Sequence, residues 1–380
     1  MNIELRGVEF VNKGAELMLQ AIIQKASNEL KEVNFVMEVN SRSPFDKLKS
    51  EGILAKTNIQ RKGIKWERLL NALPKSLRNS LGFASAIEID AVIDGSGFAF
   101  GDKWGADKAG KRCANFIEKW KKSGKKVILL PQAFGPFSDP ILADKMKVIL
   151  SHADLVFARD RISFQYLKDL KVGEKNLFLA PDFTNLVQGT VLPKYVSFEF
   201  DVAIIPNQKM LETESKQDNE LYLPFLLQTI QLIQRKNRKP FFLIHESKMD
   251  RAIAEKINNQ LDSPIPIVHE EDPLVVKGII GKSKAVVTSR FHGLVSALSQ
   301  NIPCLATGWS HKYEMLFEDY DYKDGLCQLG EAPEYYEEKI RMILQLDSAR
   351  AISEKLKVES AKQKAETEKM WAKVFDVLKN

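Results

Sequence analysis

The chain has 380 residues, 44% of them hydrophobic, with 20 glycines and 15 prolines; that is enough for two globular domains with full cores and excludes disordered and fibrous classes. Its 56 basic and 50 acidic residues leave a net charge of +6 with the signs mostly interspersed, which permits an anionic substrate but not the clustered basic surface of a nucleic-acid binder. Cys113, Cys304 and Cys327 show no CxxC or Cys/His spacing, MNIELRGVEF lacks a secretory pattern, and no apolar run approaches bilayer-crossing length. A reducing cytoplasm is the expected location.

Short β-rich apolar runs alternate with longer amphipathic segments. The first half predicts strands at Ile3 to Val8, Phe35 to Val39, Ala91 to Asp94, Val127 to Leu130, Leu155 to Ala158 and Leu177 to Leu179. Between the first two, Ala15 to Leu30 reads as a helix, with Leu19, Ile22, Ile23, Ala26 and Leu30 on one face. WKKSGKK, Trp120 to Lys126, is the densest basic run and reads as a solvated helix end and turn. The second half predicts strands at Asp201 to Ile205, Phe241 to His245, Ile265 to Val268, Ala285 to Ser289 and Cys304 to Thr307. Helices fall at Glu220 to Lys236, Met249 to Leu261 and Pro273 to Lys282. This alternation reads as α/β, two Rossmann-like domains with parallel sheets facing across a cleft. The expected division is residues 1–185, a linker at 186–200, residues 201–347, and a charged helix at 348–380 packing back.

In open α/β sheets ligands bind at the carboxyl edge, so polar residues just after strands are the candidates. Asn12, Lys13 and Gly14 precede a helix and read either as a cap or as an anion contact. Asp94, Gly95, Ser96 and Gly97 end the third strand as a tight turn or a substrate loop. Gln132 leaves the strand of VILLPQAFGPF toward a sugar hydroxyl or solvent, and Gly135-Pro136 marks a turn. In FARDRIS, Asp160 is placed as an N-cap. Arg159 either binds an anion or pairs with Asp182 of LAPDF.

SRFHG is the most informative motif. A strand ends by delivering Arg290, a helix opens with Phe291, His292 and Gly293, and the next strand delivers GWSHK with His311 and Lys312. Convergent titratable groups at a helix N-terminus mark a site for an anion. Trp104 and Trp309 fall in predicted loops, either stacking on a sugar or packing. Glu270, Glu271 and Asp272 read either as acids for a ribose or, for Asp272 before Pro273, as a helix cap.

The ordered set of the Asn-x-Gly turn, DGSGF, LLPQAFGPF, FARDRIS, LAPDF, SRFHG and GWSHKYE, over about Gly7 to Tyr320, resembles the polysaccharide pyruvyl transferases. One departure is Ala15, with Glu16 next, where many members carry an acid directly after the Asn-x-Gly turn. The resemblance implies a glycosyltransferase-B-like fold. It also implies transfer of a pyruvyl group from phosphoenolpyruvate to a hexose of a cell-surface polysaccharide or its undecaprenyl-linked precursor, as a ketal. Phosphoenolpyruvate is then the donor substrate, and neither cofactor nor metal is expected. His292 is assigned proton transfer, Arg290 and Arg159 the two anionic groups, and Lys312 further anion contact. The rival is a nucleotide-sugar glycosyltransferase of the same build. The basic balance is compatible with work at the cytoplasmic face of the membrane.

Overall fold

The computed structural model describes residues 1–380 except 59, 62, 63, 66, 196, 247 and 309, and the backbone alone of 60, 61, 64 and 65. The chain forms two compact units. The first comprises Met1–Val11, Met18–Phe183 and Thr367–Asn380; the second comprises Asn12–Leu17 and Thr184–Glu366.

Among the described residues the first unit contains β1 (Asn2–Arg6), β2 (Asn34–Met37), β3 (Leu54–Lys56), the small antiparallel pair β4 (Gln60–Arg61) and β5 (Ile64–Lys65), β6 (Phe83–Ala84), β7 (Ala91–Asp94), β8 (Phe98–Phe100), β9 (Lys126–Phe134), β10 (Leu155–Ala158) and β11 (Leu177–Leu179). The main sheet is parallel in the order β11-β10-β9-β7-β1-β2-β3-β6, with β8 beside the end of β9. The strand order reverses between β1 and β7. There Gly7, at φ 82°, ends β1 two residues earlier than the apolar pattern predicts. A methyl on Gly7 would stand 2.2 Å from Ser96 Oγ and 2.5 Å from its backbone nitrogen, so only glycine lets these strand ends meet.

β9 runs on through Gln132 to Phe134, past the expected end at Leu130, because β8 pairs with its extension. Alternation along β7, β9 and β10 sends Val92, Val127, Leu129, Val156 and Ala158 into one core with Leu142, Met146, Ile149 and Leu150 of the helix Pro140–His152. β1 also carries buried charge. Glu4, 1% exposed, accepts from Lys56 Nζ at 2.9 Å and from Arg6 at 2.6 Å, a pairing that burial of charge requires.

The second unit has β12 (Val202–Ile205), β13 (Pro240–Ile244), β14 (Ile267–His269), β15 (Ala285–Thr288) and β16 (Cys304–Ala306), parallel in the order β14-β13-β12-β15-β16. Ala203 and Ile205 face the helices Pro273–Lys282 and Phe291–Ser299. Val202 and Ile204 face Lys216–Arg235 and Lys248–Asn258. Such two-sided burial explains the unbroken apolar runs. Strand reversal here lies between β12 and β15.

Residues expected to form a linker are anchored within the second unit. Thr190 donates to Leu274 O at 2.9 Å, Lys277 donates to Thr184 O at 2.8 Å, and Gly189 lies against the Gly278 backbone. Val191, Leu192, Tyr195 and Phe198 pack on that unit's core. The last helix starts at Leu346 rather than Ser348 and continues unbroken to Lys379. Its end, from Thr367, belongs to the first unit, within which Trp371 stands edge-on to Phe183. All three cysteines are buried free thiols, and among the described residues no helix is long and apolar enough to cross a membrane.

Candidate active site

The second unit gathers its polar groups at the strand reversal, the position where open parallel sheets bind ligands. Past β12, the Asn207 side chain donates to Ser289 O at 2.7 Å and accepts from Lys209 N at 3.0 Å, tying the loops after β12 and β15 together. Tyr313 Oη also donates to Ser289 O, at 2.9 Å. Ser289 thus delivers Arg290, the N-cap of the helix Phe291–Ser299, in a fixed direction. Gly293 is required in the first turn. A methyl there would lie 2.7 Å from Thr288 Oγ1 and 3.3 Å from Ile205 Cδ1.

The helix expected at Ala15 begins at Lys13. Asn12 Oδ1 accepts from Gly14 N at 2.9 Å and Ala15 N at 3.2 Å, so Asn12 acts as a cap. Lys13 pairs with Glu16 at 2.7 Å in a largely buried setting. Gly14 lies directly against His292, its absent methyl 2.3 Å from Nδ1. Phe291 stands edge-on to both His292 and Tyr313 with ring centres 5.6 Å apart, and Lys312 Nζ lies 5.2 Å from the Phe291 ring centre. The structure therefore brings together Asn12, Lys13, Gly14, Phe291, His292, Gly293 and Lys312.

Arg290 differs from its expected direction toward a ligand. Its two terminal nitrogens are taken by carboxylates, one by Glu246 and the other by Asp250 at 2.6 and 2.7 Å. The side chain is about 10% exposed and Asp250 is fully buried. Burial pushes the Asp250 carboxyl up, against the opposing pull of the Arg290 charge. A desolvated arginine with two hydrogen-bonded carboxylates is held in a fixed geometry, because taking either charge away strands the other.

His245, directly after β13, completes the cluster. Its Nδ1 is buried and has no hydrogen-bond partner among the described residues. Burial, followed by the nearby Arg290, His292 and Lys13 charges, holds its pKa well below the usual histidine value. His245, Glu246 and Asp250 were not singled out from the sequence, and Glu16 was named only as standing one place beyond the acid that many members carry. His245 was read as the last residue of the strand Phe241 to His245, whereas β13 ends at Ile244 and leaves His245 at the carboxyl edge.

The first unit carries a cluster of its own. Asp94 Oδ1 accepts from Ser96 N at 3.0 Å and Gln132 Nε2 at 3.2 Å, and Arg112 Nε lies 3.8 Å from its other oxygen. Gln132 is fully buried inside β9, so the solvent-facing alternative is excluded. Gly95 packs under Val8 and Ile22, and Gly97 O accepts from Ala133 N at 3.1 Å. Arg159 pairs with Asp182 at 3.0 Å, both buried, and Asp160 caps its helix through Ser163 N at 2.7 Å. Trp104 has Lys108 Nζ 3.9 Å from its ring centre and Phe98 at its edge. In the second unit Glu270 is engaged by Tyr195 and Lys194, and Asp272 caps its helix through Leu274 N at 2.8 Å. Trp309 lies outside the described residues.

Two α/β units with parallel sheets and a long closing helix define a glycosyltransferase-B-like fold, and solved structures match along nearly the whole chain. UDP-GlcNAc 2-epimerase from Neisseria meningitidis, bound to UDP-GlcNAc, matches with a TM-score of 0.59 at 12% identity, covering 100% of both chains. HepE from Anabaena, in complex with UDP, gives 0.58 at 12%, covering 99% of this chain and 100% of that one. A glycosyltransferase from Rickettsia africae gives 0.58 at 13%, covering 100% and 99%. At these identities the likeness is one of fold. No curated protein matches. The polysaccharide pyruvyl transferase family model matches residues 12–311, and the chain belongs to that family.

Proposed function

We propose that this chain transfers the pyruvyl group of phosphoenolpyruvate to two hydroxyls of one hexose, in a cell-surface polysaccharide or its lipid-linked precursor. In this reading the methylene carbon gains a proton and becomes a methyl, and one sugar hydroxyl adds to the former enol carbon and loses its proton. The second hydroxyl adds as the bond from carbon to the phosphate oxygen breaks. Two carbon–oxygen bonds form, one breaks, and inorganic phosphate leaves with the second hydroxyl's proton.

The observation that carries the reading is the family match together with His292 in the first turn of a helix at the strand reversal, flanked by Lys312 and Lys13. A helix N-terminus and lysines favour a doubly anionic donor. His292 is the group assigned to proton transfer. Arg290 is recast as a positioning residue, since Glu246 and Asp250 occupy it. Arg159 is likewise engaged by Asp182, and it is recast as a residue that positions the LAPDF loop.

A second reading, a nucleotide-sugar glycosyltransferase, is favoured by the UDP-bound neighbours. Titration calorimetry with phosphoenolpyruvate and, separately, UDP distinguishes the two. Binding of phosphoenolpyruvate alone, weakened about tenfold or more in Lys312→Ala, supports pyruvyl transfer. Binding of UDP alone overturns it.

A further inference from the structure

The first unit holds polar groups that its own fold does not satisfy. Asp94 ends β7 where the strand order reverses, and Ser96 N and Gln132 Nε2 both donate to its Oδ1, at 3.0 and 3.2 Å. Its Oδ2 has no hydrogen-bond partner among the described residues, and neither has Gln132 Oε1 or Ser96 Oγ. All three side chains are 3% exposed or less. A buried polar atom left unpaired is costly, so three together at a strand reversal call for one cause.

Arg112 faces this group. Its Nε stands 3.8 Å from Asp94 Oδ2, within ion-pair reach but too far for a hydrogen bond, and its side chain is 26% exposed. It sits on the π-helical turn Gly110–Ala114, a wide turn of the kind found at functional sites. Lys108 lies four residues earlier with Nζ 3.9 Å from the Trp104 ring centre, and burial, then the Arg112 charge, lowers its pKa. Neither cation donates a hydrogen bond to a carboxylate among the described residues. Trp104 Nε1 is a further buried donor without a partner there.

Unspent acceptors and unspent donors thus stand side by side, and this decides the ligand. A phosphate or carboxylate suits Arg112 and Lys108 but is repelled by the Asp94 carboxylate and has no hydrogen to give it. A hydroxyl donates and accepts at once, so a sugar ring serves both sets. We infer that Asp94, Arg112 and Lys108 form a subsite for the hydroxyls of a hexose within the first unit, opened when the part-exposed Arg112 side chain turns away from Asp94. Ser96 and Gln132 hold the Asp94 carboxylate in place. That this hexose is the pyruvyl acceptor rests on the proposed function.

The test is saturation-transfer NMR on the full chain with methyl β-galactoside, methyl α-glucoside and methyl α-mannoside as probes, beside calorimetry with phosphoenolpyruvate. At least one hexoside is expected to bind, and its affinity to fall about tenfold or more in Asp94→Asn and in Arg112→Ala. Phosphoenolpyruvate affinity should change less than about twofold in both, because His292, Lys312 and Lys13 belong to the second unit. Arg112 is part-exposed, so Arg112→Ala with a wild-type melting curve carries the test even where Asp94→Asn is unstable. A wild-type chain that binds none of the three hexosides, or hexoside binding untouched by Arg112→Ala, overturns the subsite while phosphoenolpyruvate binding keeps the pyruvyl-transfer reading. Inorganic phosphate displacing the hexoside and losing affinity in Arg112→Ala overturns the choice of a sugar over an anion. Hexoside binding that both variants weaken, in a chain that takes UDP and not phosphoenolpyruvate, keeps the subsite and overturns the acceptor assignment.

Discussion

Gly14 and His292 touch. The Gly14 α-carbon faces the imidazole so closely that a methyl there would stand 2.3 Å from Nδ1 and 2.9 Å from Cγ. Nothing in the local backbone of Gly14 requires glycine; the neighbour does. Gly14→Ala must therefore turn or push the His292 ring. Under the proposed function, a displacement of this size should lower the rate of phosphate release about 10- to 100-fold. The thermal midpoint should move little, because a ring at a part-exposed site can yield. Unaltered turnover in this variant would remove His292 from the reacting centre.

Arg290 and Asp250 set a different expectation. Both are buried, and Asp250 Oδ1 also accepts from Gln208 N at 3.0 Å, so the pair braces the loop after β12. Arg290→Ala leaves a desolvated carboxylate and should cost about 3–5 kcal/mol in urea unfolding. Adding Asp250→Leu to Arg290→Met should recover most of that loss. If Arg290→Ala instead unfolds at the wild-type urea concentration, the pair is not structural. Loss of ligand binding in Arg290→Ala alone does not identify a ligand contact.

Much of the fold was legible because it is written in short-range pattern. β10, β12, β13 and β15 are apolar runs bounded by turns, and helices beside them carry caps such as Asp160 after β10 and Asp272 before β15. What escaped were elements defined by partners. β3, β6 and β8 are two or three residues long and are strands only because a neighbour pairs with them. The site divides the same way. SRFHG was visible from its position at a strand end, whereas Glu246 and Asp250 became relevant only through a side chain 40 or more residues away.

Gly278 tests the anchoring of the expected linker. A methyl there would lie 2.1 Å from Thr190 O and 2.5 Å from Thr190 C, which are backbone atoms, and Gly189 makes the reciprocal approach. A side chain can rotate away; this contact cannot. Gly278→Ala should destabilise the chain by about 1–3 kcal/mol and increase cleavage by proteases between residues 184 and 200. A fully stable, protease-resistant Gly278→Ala protein would show that the segment is not held there.

His245 gives a pH dependence with a defined sign. Its folded pKa is held well below 6.5 by burial and then by Arg290, His292 and Lys13, so the folded chain keeps it neutral. In the unfolded chain it takes up a proton near the ordinary histidine value. From that value downward the unfolded state binds the extra proton, and stability falls on acidification, with a slope from this group of at most about 1.4 kcal/mol per pH unit. Above that value the contribution is fully present. Urea unfolding of wild type and His245→Gln between about pH 5 and pH 8 isolates it, because the other groups are common to both. The difference in unfolding free energy should be flat at high pH and shift below about pH 6.5 in favour of the variant. Parallel profiles would mean that His245 protonates equally well in the folded chain, and that the cluster around Arg290 is open to water.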